Sequence, residues 1–216
     1  MPIYINNTKE ESTLNKQLAD GTATGTYYLT DNPEYYEIQR NNNFVFYVSG
    51  LKEKLSKFYS NNPQNKPKMN EFTEVNSEDV LKVSVSSSSV PHFKQNAISI
   101  RRGNSVMKFA GVPEFDSHTI KLDDFIGAGT SDVINAWQSL SYNVMTEKVG
   151  LAADYKMNAY LLEYTPDYQL VRTIRMMGCW VSGISEDDFD HNSNDKHSIT
   201  ATIEFDKAWI DTSDVE

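Results

Sequence analysis

Four histidines and one cysteine have the widest chemical scope in this 216-residue chain, and their spacing gives them little to work with. His92, His118, His191 and His197 each lack a second histidine at the short spacing that builds a zinc site, so each reads as a strand or surface residue. Cys179 lies between Gly178 and Trp180 with no neighbouring base to take its proton, which makes it a small buried hydrophobe rather than a nucleophile. A lone cysteine excludes an intrachain disulfide and argues against a Cys-based metal site, and it fits synthesis in a reducing cytosol. Asp188, Asp190, Asn192 and Asn194 stand at the first, third, fifth and seventh places of a calcium-loop register. Ser193 occupies the place where the sharp turn needs glycine, and Ile199 the place where the ion needs a bidentate carboxylate, so the run reads as a solvated acidic turn. Gly127-Ala128-Gly129-Thr130 puts two glycines before a helix without the third glycine or the buried strand of a dinucleotide site, and reads as a helix-entry loop. GxSxG, GxxxxGK, HExxH and CxxC do not occur. The expectation is a protein that is not an enzyme, with no catalytic residue, cofactor or metal.

Charge and composition set the class. The formal charge is -10, and residues 184–216 hold most of it, with ten acids against Lys196 and Lys207. Tight nucleic-acid binding depends on Lys and Arg displacing phosphate counterions, and this balance opposes it, whereas a surface that repels DNA is compatible with it. Twelve Tyr and ten Phe favour half-buried pleated strands over helical bundles. The opening MPIYINNTKEES lacks the basic patch and apolar run of a secretion signal, and no stretch approaches the roughly 18 apolar residues of a membrane span. The chain is expected to be soluble and intracellular when made.

The elements that would position any site are mostly strands. Residues 1–43, rich in Asn, Thr and Asp with Tyr27, Tyr28, Tyr35 and Tyr36 in pairs, read as an extended N-terminal arm ordered by a neighbouring subunit. Residues 44–216 read as one β domain. Phe44 to Val48 is a strand, followed by a short amphipathic helix on Leu51, Leu55 and Phe58. Ser60 to Glu78 reads as a surface loop, Leu81, Val83 and Val85 alternate as a strand does, and the serines from Ser86 to Ser89 read as a flexible turn. Ala97 to Ala110 is a hairpin around Gly103-Asn104, and Thr119 to Leu122 a short strand. A helix over about 131–142 is capped by Thr130 or Ser131 and carries Val133, Ala136, Trp137 and Leu140 on one face. Strands follow at Tyr155 to Tyr164, Gln169 to Met177 and Cys179 to Ile184. In the last strand Ile199, Ala201, Ile203 and Phe205 face one way, and Thr200, Thr202, Glu204 and Asp206 the other, as in a sheet with one wet face.

The order of several segments resembles the tail tube proteins of contractile-tailed bacteriophages, whose fold is shared with type VI secretion tube proteins. They are IRRGN..MKFAG at 100–111, the Trp137 helix, VGLAADYKMNAYLLEY at 149–164, LVRTIRMMGCWVSGIS at 170–185, an acidic stretch, and ITATIEFDKA at 199–208, covering roughly half the chain. Val181 stands where that family often has proline after the tryptophan, and about 51–93 looks like an insertion. The resemblance implies a mainly β fold of two packed antiparallel sheets, a β-sandwich or barrel-like tail tube arrangement with a flanking helix. It also implies six copies closing into a ring and rings stacking into the inner tube of a virion tail. Assembly would take place in the host cytoplasm, DNA would pass without specific binding, and the partners would be the chain itself and sheath and baseplate proteins. On that picture Thr200, Thr202, Glu204 and Asp206 face the lumen, where carboxylates would repel phosphates. Two alternatives use the same residues differently: a cap, neck or baseplate protein at the end of a tube, or a monomeric carbohydrate-binding β-sandwich with its aromatics clustered on one face.

Overall fold

The computed structural model describes residues 39–61, 73, 76–192 and 194–211. The chain divides after Asn42, and the unit described here begins at Asn43. The arm expected at 1–43 lies almost wholly outside the described residues, as does most of the loop expected from Ser60 to Glu78.

In chain order the elements are β1 (Phe44–Ser49), α1 (Leu51–Asn61), α2 (Ser77–Ser84), β2 (Val85–Ser88), β3 (Phe93–Arg102), β4 (Ser105–Phe115) and β5 (His118–Asp123). Then come α3 (Thr130–Ser141), β6 (Tyr142–Asn143), β7 (Lys148–Val149), α4 (Ala152–Tyr155), β8 (Met157–Tyr164), β9 (Leu170–Glu186), β10 (Ser198–Glu204) and β11 (Lys207–Asp211). The fold is mainly β, and every strand pair is antiparallel. Sheet I is β1-β8-β9-β11; sheet II is β9-β10-β5-β2; β9 belongs to both. The inner faces meet in one core. Phe46, Ala159, Leu161, Ile174 and Met176 come from sheet I, and Ile120, Leu122, Val181, Ile199, Ala201 and Ile203 from sheet II. Across the interface Phe46 stacks on His118, with ring centroids 5.5 Å apart.

Alternation explains β10: Ile199, Ala201 and Ile203 are fully buried, while Thr200, Thr202 and Glu204 are half-buried on the other face. The helices use the 3.6 period. α1 buries Leu51, Leu55 and Tyr59, and α3 buries Val133, Ile134, Ala136, Trp137 and Leu140, with Trp137 only 1% exposed. α3 packs on β9 and on the other two longer helices, so Trp137 closes the side of the core that the strands leave open.

Three local expectations change. Leu81 to Val85 is not a strand: α2 buries Ser77, Val80, Leu81 and Ser84, the i, i+3, i+4, i+7 stripe of a helix, with Glu78 and Asp79 favourably placed in its first turn. The serine run is no flexible turn, because Val85–Ser88 is a strand paired with β5. Gly129, in the left-handed region at φ 62°, takes the N-cap place of α3 without a side-chain bond. The Thr130 hydroxyl turns inward instead, 2.9 Å from the Ser84 hydroxyl, and it accepts a bond from the Phe125 amide.

β9 corrects the largest misreading. The two strands expected on either side of Gly178 are one strand of 17 residues. Gly178 has φ 72°, and there the pairing with β8 slips from Met157–Cys179 to Ala159–Met176, a bulge that turns β9 from sheet I into sheet II. A Cβ on Gly178 would collide with the Asp206 carboxylate. That carboxylate is held by Lys156, whose Nζ donates to Oδ1 at 2.6 Å and to Oδ2 at 2.8 Å, and the Asp206 amide donates to the Met177 carbonyl. Replacing Gly178 with Ala combines left-handed strain with this collision, and is expected to lower the stability of the domain by about 1–3 kcal/mol. Urea unfolding checks it, and an unchanged midpoint contradicts it.

His118 yields a pH dependence. Its ring is fully buried against Phe46, with Nε2 and Nδ1 each 3.2 Å from the hydroxyls of Ser88 and Ser89. Burial lowers its pKa from 6.5 to about 4, since the charged form loses its hydration. A folded pKa below the unfolded one means that the stability is present above 6.5 and is lost as the pH falls towards 4. The linked loss approaches about 3 kcal/mol. Unfolding free energies of the wild type and His118→Phe, measured from pH 7.5 to 4.5, are expected to converge by an amount of that order; parallel curves contradict the assignment.

Candidate functional site

The outer face of sheet II carries the residues that sequence points to as lumen-facing. Thr200 lies opposite Lys121 on β5 and Ser185 on β9, Thr202 opposite Thr119 and Gly183, and Ser87 joins the Lys121 row from β2. Glu204 ends the row opposite Trp180. The face is therefore a field of hydroxyls with Lys121, Glu204 at one end and Asp123, opposite Ser198, at the other. Asp206 is not on it. The chain bends after Glu204, and Asp206 sits at the β10–β11 corner, engaged by Lys156 and packed on Gly178.

A second surface was visible in sequence only as an ordinary hairpin. Among the described residues β3 and β4 pair with each other and with no other strand, and the pair is longer than the expected Ala97 to Ala110. Gly103 has φ 59°, the positive value that a two-residue connection needs at its first position. Ile98 lies opposite Phe109, and Ile100 opposite Met107, so all four share one face. Ile98 is 55% exposed and Phe109 49%, with Ile100 and Met107 similar. The other face carries Arg101, Val106 and Lys108, and Arg102 stands at the tip. At its root Phe93 meets Phe115 and Phe115 meets Phe205, with centroids 5.8 and 5.6 Å apart, which ties the hairpin to the core. An isolated two-stranded ribbon is marginal in water, and here it shows an apolar face to solvent along its length.

The acidic turn lies at one end of sheet II. Asp190 accepts bonds from the backbone and side chain of Asn192, and Asp187 accepts the Ser198 amide, so these oxygens shape a loop. Phe189, 88% exposed, stacks flat on His197. Among the described residues no three His, Cys, Asp or Glu side chains converge as metal ligands. Cys179 is fully buried in the core, and burial pushes its thiol up to about 12, so it is no thiolate.

A cavity of about 390 Å³ opens between α1, α3 and the 142–154 segment, lined by Lys54, Lys57, Leu140, Asn143, Lys148 and Asp154. Two of its three lysines are already engaged. Lys54 donates to the carbonyls of Ala153 and Lys156, and Lys57 lies 3.7 Å from Asp154. Burial lowers the Lys54 pKa, against the opposing effect of Asp154. The arrangement braces α1 against α4. No helix among the described residues is long and apolar enough to cross a membrane.

No family model matches the chain, and no curated protein matches it in sequence. Solved structures do match. One is the tube-terminating cap of the anti-feeding prophage, with TM-score 0.55 at 13% identity over 82% of this chain and 93% of that one. Another is the sheath/tube terminator of the extracellular contractile injection system PVC in its extended state, at 0.53 and 16% over 82% and 98%. A third comes from the sheath-tube complex of the same system, at 0.53 and 16% over 88% of this chain and 98% of that one. At these identities the likeness is one of backbone architecture, and with the shared β9, the free hairpin and the Trp137 helix already established, it shows that this chain has a tail-tube-like fold.

Proposed function

We propose that this chain is a structural subunit that associates with copies of itself into a hollow tube, six copies closing each ring and the rings stacking along an axis. The observation that carries the reading is the β3–β4 hairpin, which exposes Ile98, Ile100, Met107 and Phe109 on a ribbon that pairs with no other strand among the described residues. Each side chain is about half exposed, so covering it is worth on the order of 1 kcal/mol. A contact that joins two different surfaces generates rings when its rotation closes and filaments when it does not. The likeness to a tube within its sheath supports the same reading and extends it to sheath and baseplate proteins as neighbours in a virion tail or injection particle.

Within such a tube the hydroxyl face of sheet II, with Thr200, Thr202 and Glu204, is the proposed lumen. Hydroxyls hold water, and a single lysine between Glu204 and Asp123 offers passing phosphates no row of cations to bind, so DNA would move through without specific binding. A second reading, that the chain ends a tube as a cap, is favoured by the likeness to the terminating proteins. A sugar-binding face has less support. Trp137 is buried, and the Tyr160 and Trp209 rings already flank the Arg175 guanidinium at 5.7 and 5.6 Å.

Negative-stain microscopy of the tag-free protein across a concentration and salt series tests the proposal. Hollow tubes are expected; isolated six-fold rings would favour the tube-end reading, and monomers at every concentration would overturn both. The double variant Ile98→Ser/Phe109→Ser is expected to raise the concentration needed for assembly at least about tenfold. Its urea midpoint should stay unchanged, because the residues are exposed. Assembly at the wild-type concentration would remove the hairpin from the interface.

A further inference from the structure

The hairpin and the acidic turn stand at opposite ends of one strand. β5 begins at His118, directly after the hairpin returns through Phe115 and Asp116, and it ends at Asp123 and Asp124. At that far end the β9–β10 connection adds Glu186, Asp187, Asp188 and Asp190, because β10 starts opposite the end of β5 with Ser198 facing Asp123. About 17 Å of strand separates the two ends. Lys196 pairs with Asp123 at 2.9 Å, leaving the other acids of this pole in clear excess. In the middle of the acids Phe189 is 88% exposed. The hairpin is complementary in both respects. Arg101 and Arg102 form its tip with no ion pair to another described residue, and its apolar face offers Ile100 and Met107 next to them.

We infer that the tip of the β3–β4 hairpin of one copy docks on the acidic end of sheet II of the next copy, Arg101 and Arg102 against Asp188 and its neighbours, with Phe189 covered by the hairpin's apolar face. The inference rests on the self-assembly reading and specifies its head-to-tail contact. One copy offers the basic end of β5 and the next its acidic end, so the contact repeats without a partner of another kind. Opposite potentials set register and orientation, and like charges brought together at the same place would suppress it.

The test is charge exchange in the full chain. Arg101→Glu/Arg102→Glu alone, and Asp188→Arg/Asp190→Arg alone, are each expected to raise the assembly concentration at least about tenfold by sedimentation. Urea midpoints serve as folding controls, and Asp188→Arg alone replaces the second pair if the loss of the Asp190 turn lowers its midpoint. An equimolar mixture of the two charge-exchanged proteins is expected to restore assembly, since in an alternating array the acidic tip of the first meets the basic pole of the second and the native tip of the second meets the native pole of the first; the four substitutions combined in one chain should restore it as well. If the wild type assembles and Arg101→Glu/Arg102→Glu assembles equally well, the docking inference falls and the tube reading stands. Failure of the combined variant to assemble overturns the pairing in the same way. A wild type that stays monomeric at every concentration overturns both.

Discussion

The turn of β9 at Gly178 is the constraint on which the rest of the structure depends. One strand supplies the central pairing of both sheets, so the angle at which it leaves sheet I fixes how the two inner faces meet. Only a residue without a Cβ fits there, because the backbone is left-handed and the Asp206 carboxylate fills the space a side chain would take. The same carboxylate is clamped by Lys156 just before β8, and its residue forms the corner between β10 and β11. Four strands are thus referred to one point. The stacking of Phe46 on His118 and the sealing of the core by Trp137 both presuppose that the sheets already face each other.

Much of this was legible in sequence where a single period governs a segment. β10 alternates cleanly because one face is core and the other is wet, and α3 shows its stripe because all its inward positions but Thr130 are apolar. The failures have physical causes. α2 buries Ser77 and Ser84, the latter with its hydroxyl on the Val80 carbonyl and the Thr130 hydroxyl, so its helical stripe contains two serines and the eye falls instead on the alternating Leu81, Val83 and Val85. Val83 is 72% exposed, which a strand on a core would not allow. The serine run looked like a turn for want of apolar residues, yet it is the edge strand whose Ser88 and its follower Ser89 reach the His118 ring. Gly178 interrupts the period of β9 and was read as an end, though it marks a bulge. Asp206 was placed by extending the β10 alternation two residues past the bend at which that alternation stops.

The hairpin shows the limit of pattern reading for a surface. Its alternation and its Gly103 turn were plain, but alternation says that one face is apolar and not what covers it. In β10 the covering layer belongs to the same chain. In β3 and β4 no described residue supplies such a layer, and the difference arises from topology, since both strands leave the body together after β2 and return before β5. A ribbon with four half-exposed apolar side chains adds cost to the isolated subunit and would return it on association, as the proposed assembly requires.

Net charge works against such a form. Each copy carries -10, and like copies brought together repel. The fold relieves this by where it puts the charge. Glu186, Asp187, Asp188 and Asp190 gather with Asp123 and Asp124 at one end of sheet II, while Arg101 and Arg102 are carried to the tip of a ribbon that leaves from the other end. Between them the outer face of sheet II is close to neutral, with hydroxyls, Lys121 and Glu204. A dipolar subunit of this kind gains attraction in a head-to-tail arrangement and loses it when two copies meet with the same ends, so in the proposed assembly the charge distribution would favour a polar filament over a two-fold dimer. Salt screens both the repulsion of the net charge and the attraction of the ends, over about 8–10 Å at ordinary ionic strengths. In the inferred end-to-end contact the charges would meet at short range around Phe189, whereas the net repulsion acts across solvent, so moderate salt would weaken what opposes assembly more than what drives it.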